Sequence, residues 1–307
     1  MSDRGPAVDR DRQEGLLALA VALRPELHRY CSRLMGSVID GEDVVQDTFA
    51  RAFVALDELC DVPQLRPWLF RIAHNRALDL LRSRTIRAAE PIEAALEVVD
   101  EAKADPVEML MRRQAVQTAV SRFAELPIPQ CSVIILKDVL DEPLAEIASL
   151  LDITVDAVKG HLARGRARLR EINAHATPLP DARIASAAVV RYVTLFNQRD
   201  WDGLRALLAD DVKLHQSLHP PRSGAADVGM FFTIYAKGDV RVTPAWLEGR
   251  EVIAVFEHRS HPKPDYFMWL EWREGRINFI RDYRYVRYVA DDAELVLVKD
   301  AIGRGTG

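Results

Sequence analysis

The chain has 307 residues, 49% of them hydrophobic and 28% charged, which suits two or three globular units and excludes a disordered, fibrous or disulfide-built protein. No apolar run approaches the roughly 20 residues of a membrane-spanning helix, and the polar stretch from Met1 to Glu14 is unlike a signal peptide, so the cytoplasm is the expected compartment. Cys31, Cys60 and Cys131 stand far apart in no disulfide or ligand spacing, so neither a metal site nor a cofactor is expected. The net charge of −5 argues mildly against unaided DNA binding, but the charge is segregated: Arg66 to Arg87 is basic, Glu90 to Asp105 acidic, and Lys159 to Arg170 basic again.

Residues 15–84 read as a helical unit, broken at Gly36 to Gly41 and at Asp61-Val62-Pro63. A helix opened by Asp40 or Gly41 places Val45, Phe49, Ala52, Phe53 and Leu56 on one face and leaves Gln46, Asp47 and Arg51 outside it. The next helix, from about Pro67 to Arg84, buries Leu69, Phe70, Ala73, Ala77, Leu80 and Leu81. Opposite them stand Trp68, Arg71, Asn75 and Arg82, with His74 and Arg76 at the borders. An aromatic beside arginines and an amide suits single-stranded nucleic acid, where stacking is worth roughly 1–3 kcal/mol per base; a tryptophan taken singly more often packs in a core.

Periodicity fades over residues 85–106, an acidic linker, and returns over residues 107–175 with a break at Pro127-Ile128-Pro129. Leu144, Ile147, Ala148 and Leu151 form one buried helix face; Asp152-Ile153-Thr154 makes a tight connection with Thr154 as N-cap; Val155, Val158, Leu162 and Leu169 form the next apolar stripe. This is helix-turn-helix spacing. Asp156, Ala157, Gly160, Ala163, Arg164 and Arg168 turn away from the stripe, with Lys159 and Arg166 on its flanks, where bases and phosphates could be reached. An arginine-rich helix face is more commonly just solvated, so the segment alone favours DNA binding only modestly.

Residues 182–290 change texture. A helical stretch from Ala182 to Leu208 precedes strands between Val240 and Val289, broken at Glu248-Gly249, Ser260 to Pro264 and Glu274-Gly275, and residues 291–307 form a tail. The last strand carries Arg276, Asp282 and Arg284 on one alternating face and Arg281 and Arg287 on the other, which calls for a polar pocket inside or a partner outside. Proton-transfer chemistry in a pocket would need a carboxylate base and a hydrogen-bond donor for a developing oxyanion. Asp282, with His258, Tyr266, Trp269 and Tyr283 as neighbours, is the candidate set for a pocket or an inter-domain contact. Nothing in the spacing brings these residues to one point, and Asp282 beside Arg281 and Arg284 reads more simply as an ion pair. No catalytic residue is assigned.

The order of motifs is more telling than any one of them. Gly41-Glu42-Asp43-Val44-Val45-Gln46-Asp47-Thr48-Phe49, followed by Arg66-Pro67-Trp68-Leu69-Phe70-Arg71-Ile72-Ala73-His74-Asn75, resembles region 2 of extracytoplasmic-function (ECF) sigma factors. Leu126-Pro127, the helix-turn-helix and the closing Arg164-Gly165-Arg166-Ala167-Arg168-Leu169-Arg170 resemble region 4 of the same family. Val189 to Asn197 and Asp200 through Val212 are similar to the opening of the SnoaL-like, ketosteroid-isomerase-type cone fold.

The resemblance implies a multidomain chain: a region 2 helical bundle and a region 4 helix-turn-helix, both all-α, then an α+β cone. It implies a promoter-recognition subunit whose partners are core RNA polymerase (the β′ clamp helices and the β subunit) and promoter DNA. Gln46, Asp47 and Arg51 would meet the clamp helices. Trp68, Arg71, His74, Asn75 and Arg82 would engage the −10 element as it melts. Asp156, Ala157, Lys159, Gly160, Ala163, Arg164 and Arg168 would read the −35 element. The linker would thread the RNA channel, and the cone domain would regulate the sigma unit by intramolecular contact, with an unidentified small ligand as a further partner. The loop Leu59 to Leu65 has few basic or aromatic groups and identifies no captured base. The rival reading is a helix-turn-helix protein fused to a ligand-binding or isomerase-like domain.

Overall fold

The computed structural model describes residues 6–55, 65–88, 115–116, 118–175 and 184–298. The expected loop up to residue 64, the linker beyond residue 88 and the tail beyond residue 298 lie outside the described residues. The described helices before residue 177 fall in one compact unit and the elements after it in a second.

Three helices open the first unit: α1 (Pro6–Met35), α2 (Val38–Ala55) and α3 (Leu65–Ala88). Each carries an apolar stripe that water excludes, so they pack around Leu27, Tyr30, Leu34, Val45, Leu69, Phe70 and Ala73. Gly36 makes the corner between α1 and α2 at φ +68, open to a residue without Cβ. Gly41 lets α2 cross α1, since a Cβ there would stand 2.5 Å from the Ser32 Cα. Inside this crossing Arg24 donates to Glu42 at 2.8 Å, pairing two buried charges. Phe53, expected on the buried stripe, is 68% exposed. The stripe of α2 ends at Ala52, and Phe53 lies a further 100° round the helix, past the edge of α1 and α3.

A short 3₁₀ turn (Val120–Glu125) leads into α4 (Ile128–Ile134), which continues as a π turn through Val139, then α5 (Leu144–Leu151) and α6 (Val155–Ala174). These elements share one core with α1–α3: Cys131 reaches the Arg33 carbonyl at 3.9 Å, and Arg66 bonds both Glu26 on α1 and Glu142 in the turn before α5. Gly165 brings α6 against α4, where a Cβ would come within 2.6 Å of Ile134 Cδ1. The carboxylate of Asp138, in the π turn, has no solvent contact and receives two bonds from Arg166, the Nε one at 2.8 Å.

The second unit has α7 (Ala187–Asn197) and α8 (Trp201–Arg205), started by N-caps Ser186 and Asp200 whose side chains accept from Val189 and Gly203. Its strands are β1 (Leu208–Gln216), β2 (Arg222–Ser223), β3 (Arg241–Leu247), β4 (Arg250–Phe256), β5 (Tyr266–Arg273), β6 (Arg276–Asp282) and β7 (Val296–Leu297), with short helices α9 (Ala225–Gly229) and α10 (Tyr288–Asp291). They form one sheet in the order β2-β1-β6-β5-β4-β3-β7, with β1 and β6 parallel and every other pair antiparallel. The inner face, carrying Leu214, Ile280, Leu270, Met268 and Ile253, packs on Val189, Tyr192, Val193 and Phe196 of α7. This is the α+β cone expected for the C-terminal part. Among the described residues, no helix is long and apolar enough to cross a membrane.

Truncating one partner of a buried ion pair leaves the other charge without compensation. Arg166→Ala should therefore lower the stability of the first unit by about 3–5 kcal/mol in urea unfolding. A loss below about 1 kcal/mol, the range of exposed pairs, would mean that water already reaches Asp138.

Candidate nucleic-acid interface and interior polar cluster

The helix-turn-helix has the geometry that its sequence calls for. Ile147 and Ala148 bury the face of α5, Asp152 ends the helix in the left-handed region at φ 56, and the Thr154 hydroxyl oxygen accepts from the Ala157 N–H at 3.1 Å. Val158, Leu162, Leu169 and Ile172 face the core. Val155, expected in that stripe, is 38% exposed because the first turn of α6 projects beyond α5. Of the residues turned away, Asp156, Ala163 and Arg168 are exposed and Ala157, Lys159 and Arg164 half-buried. Gly160, expected among the outward residues, is instead buried under the Arg164 guanidinium, which a Cβ there would meet at 3.4 Å.

The charged groups on this face have neighbours within the helix. Lys159 stands 3.8 Å from Asp156, Arg168 3.1 Å from Glu171, and Arg164 3.5 Å from His161 Nδ1. Exposed pairs of this kind are worth at most about 1 kcal/mol and yield readily to a phosphate. Partial burial and the Arg164 charge lower the His161 pKa, so the ring is neutral at physiological pH. Arg166 is different, being held by Asp138.

On α3, Arg71, Asn75 and Arg82 are exposed and share one helix face with Trp68, whose half-buried ring packs on the core. His74 is anchored inward: its Nδ1 lies 2.7 Å from the Tyr30 hydroxyl, and burial together with Arg82 pushes its pKa down to about 4. The neutral ring and the Tyr30 hydroxyl share this hydrogen bond, which makes His74 a support of the surface as much as part of it. On α2, Arg51 is exposed and Gln46 half-buried, while Asp47 accepts from Arg76 Nε at 2.7 Å and so ties α2 to α3.

In the second unit the five pocket candidates separate. Asp282 and Tyr266 point inward. Tyr283 is buried against Phe267 at 4.5 Å, Trp269 stands on the opposite sheet face with Phe279 at 6.0 Å under Arg250, and His258 is exposed beside His261 at 4.9 Å. The ion-pair reading of Asp282 is corrected: the carboxylate is buried and accepts from Gln216 Nε2 at 2.6 Å and from the Arg284 backbone N–H at 3.2 Å. Its burial follows from register, since Gln216, Asp282 and Met268 lie side by side on β1, β6 and β5. The simple alternation fails because β6 shifts between Ile277, opposite Trp272, and Phe279, opposite Glu271, turning Ile277 inward beside Ile280.

Around Asp282 the chain gathers groups that no sequence spacing announces. The Tyr235 and Tyr266 hydroxyls are 3.0 Å apart, the Arg284 guanidinium lies 5.2 Å from the Tyr235 ring centre, and the Tyr192 hydroxyl is buried without a hydrogen-bond partner. Burial drives the Asp282 carboxyl up to about 7 against the pull of Gln216 and Arg284. Among the described residues, no three His, Cys, Asp or Glu side chains come together as a metal site requires.

Residues 19–86 match the sigma-70 region 2 family, residues 113–169 the sigma-70 region 4 family, and residues 189–280 the SnoaL-like domain family. The ECF RNA polymerase sigma factor SigG of Mycobacterium tuberculosis is 29% identical over 288 residues, spanning 83% of this chain and 76% of its own. RNA polymerase sigma factor CnrH of Cupriavidus metallidurans is 34% identical over 137 residues, 42% of this chain and 71% of its own. ECF RNA polymerase sigma factor SigW of Bacillus subtilis is 28% identical over 171 residues, 53% of this chain and 91% of its own.

The raised Asp282 pKa has a stability consequence. Between the ordinary 3.8 and the folded value of about 7, the folded state holds a proton that the unfolded chain has released. Stability of the second unit should therefore fall as pH rises through that window, by roughly 1.4 kcal/mol per unit, and level off above it. Asp282→Asn should flatten the fall in a series of urea melts; an unchanged slope would show that Asp282 ionises in the fold as it does in water.

Proposed function

Because the chain belongs to the ECF RNA polymerase sigma factors and carries a SnoaL-like domain fused behind regions 2 and 4, we propose that α6 reads the −35 element, α3 holds the melting −10 element, and the C-terminal unit regulates both. The observation that carries the reading is the capped turn before α6. It starts the helix with Val158 and Leu162 on the core side, which leaves Asp156, Lys159, Ala163 and Arg164 on the outward side and Arg168 one turn on. Small residues admit the groove and long cations reach bases or phosphates.

The −10 assignment is supported by the exposed row of Arg71, Asn75 and Arg82 beside the half-buried Trp68 ring, an arrangement that offers phosphate neutralisation next to a stacking surface. His74 serves this row by fixing it to Tyr30. Arg51 and Gln46, on the outward side of α2, are the groups offered to core polymerase, with Asp47 shared between that role and its bond to Arg76. Regulation by the C-terminal unit is supported by its position as a separate compact unit fused behind the two sigma regions.

Runoff transcription with purified core polymerase tests these assignments. Arg164→Ala and Lys159→Ala should each weaken promoter use, by about 1–3 kcal/mol with relaxed specificity where a base contact is lost, or evenly across sequences where a phosphate contact is lost. Promoter selection unchanged in both variants would remove α6 from the −35 role.

Deletion of the chain after Thr177 should leave the helical unit folded and alter promoter-dependent transcription. Output identical to the full chain on several promoters would dismiss the regulatory role.

A further inference from the structure

The outward side of α6 holds one residue that no charge pattern singles out. Ala157, His161, Arg164 and Arg168 follow one another at alternating intervals of four and three residues, so they lie in a single row along the helix. His161 is half-buried, and its Nδ1 lies 3.5 Å from Nη2 of Arg164. A guanidinium has N–H donors and no acceptor, so the imidazole nitrogen is the acceptor of this contact. The proton of the neutral ring then sits on Nε2. Partial burial and the Arg164 charge keep the ring from taking up a second proton at physiological pH.

We propose that His161 is a positioning residue for recognition of the −35 element: it holds the Arg164 guanidinium across Gly160, aimed for a two-bond contact with the major-groove edge of a guanine. This role rests on the reading that α6 enters the −35 element. Helical side chains lean toward the N-terminus of their helix. Arg164 does so, with Nη1 and Nη2 standing 3.4 and 3.6 Å from the place of a Cβ at Gly160, one turn back. That end of a recognition helix is the one that meets base edges. Gly160 contributes by having no side chain, which lets the guanidinium lie against the helix and cover it.

A neutral acceptor suits this task better than a carboxylate. Lys159 stands beside Asp156 and Arg168 beside Glu171, and each acid offsets part of the charge that DNA would attract. The imidazole orients Arg164 without adding a negative charge. One N–H of Nη2 goes to His161, so the guanidinium keeps a parallel pair of N–H bonds, which is what guanine N7 and O6 require. An arginine ordered before the encounter loses less freedom on meeting guanine and swings less readily to a phosphate. The gain is therefore read as discrimination between base pairs.

Runoff transcription by the full chain with core polymerase, on a promoter whose −35 base pairs are replaced one at a time, tests this role. Arg164→Ala should lose discrimination at one G·C pair. His161→Phe keeps a ring and removes the acceptor; it should weaken discrimination at that same pair by about fivefold, the worth of ordering one long side chain, and unfold at the parent's temperature. His161→Asn, whose Oδ1 takes the place of Nδ1 as acceptor, should restore most of the loss. The double variant Arg164→Ala with His161→Phe should do no worse than Arg164→Ala, because His161 acts through Arg164. Discrimination unchanged in His161→Phe, an equal loss in the Phe and Asn variants, an even fall on every promoter, or a loss at a pair that Arg164→Ala leaves alone would overturn the positioning role. A silent Arg164→Ala would remove Arg164 from −35 reading and the positioning role with it, a result distinct from a silent His161→Phe beside a responsive Arg164→Ala.

Discussion

The bond between Arg166 and Asp138 fixes what the rest of α6 is free to do. A carboxylate stripped of water inside a helical core needs a cation, and the planar guanidinium supplies two bonds at once. With that pair in place, the π turn and the middle of α6 cannot slide, Gly165 stays pressed on Ile134, and the first turns of α6 hold a set angle to α5. One arginine of the basic run is consumed in building the motif, and the others remain on the outward side.

The second unit meets the same rule by the other route. Asp282 has no cation in bonding contact, only an amide and a backbone N–H, and its carboxyl holds its proton up to about 7. In the first unit the buried acids Glu42 and Asp138 each bond an arginine and serve architecture. In the second, an acid without such a bond stays responsive to what lies next to it.

Much of this was readable before any coordinates. The spacing of Leu144, Ile147, Ala148 and Leu151, the cap at Thr154 and the paired region 2 and region 4 motifs are local signals, and local signals survive folding because they are set by helix geometry and hydrogen-bond chemistry. The all-α character of the first part and the α+β character of the second follow from periodicity in the same way. What escaped was whatever depends on distance along the chain. Phe53 and Val155 carry the right character for a buried stripe, but where a stripe ends is decided by the length of the neighbouring helix. Tyr30 and His74 are 44 positions apart, and Gln216 and Asp282 are 66 apart. The register shift in β6 turned Ile277 inward, which no alternation rule anticipates. Tyr235 and Tyr266, 31 positions apart, meet through their hydroxyls only once the cone has formed.

Arg66 is the first basic residue of α3, and its guanidinium is shared between Glu26 of α1 and Glu142 before α5 while lying 4.8 Å from the Phe70 ring centre. Regions 2 and 4 match two separate families, yet here a residue of one region is seated by an acid of the other. A hybrid that joins residues 19–86 of this chain to the region 4 of a relative inherits an arginine whose second counter-charge has to be supplied by the newcomer. The boundary at which such hybrids can be cut is therefore set by Glu142, and a donor chosen to carry an acid at that place keeps the joint that the native chain depends on.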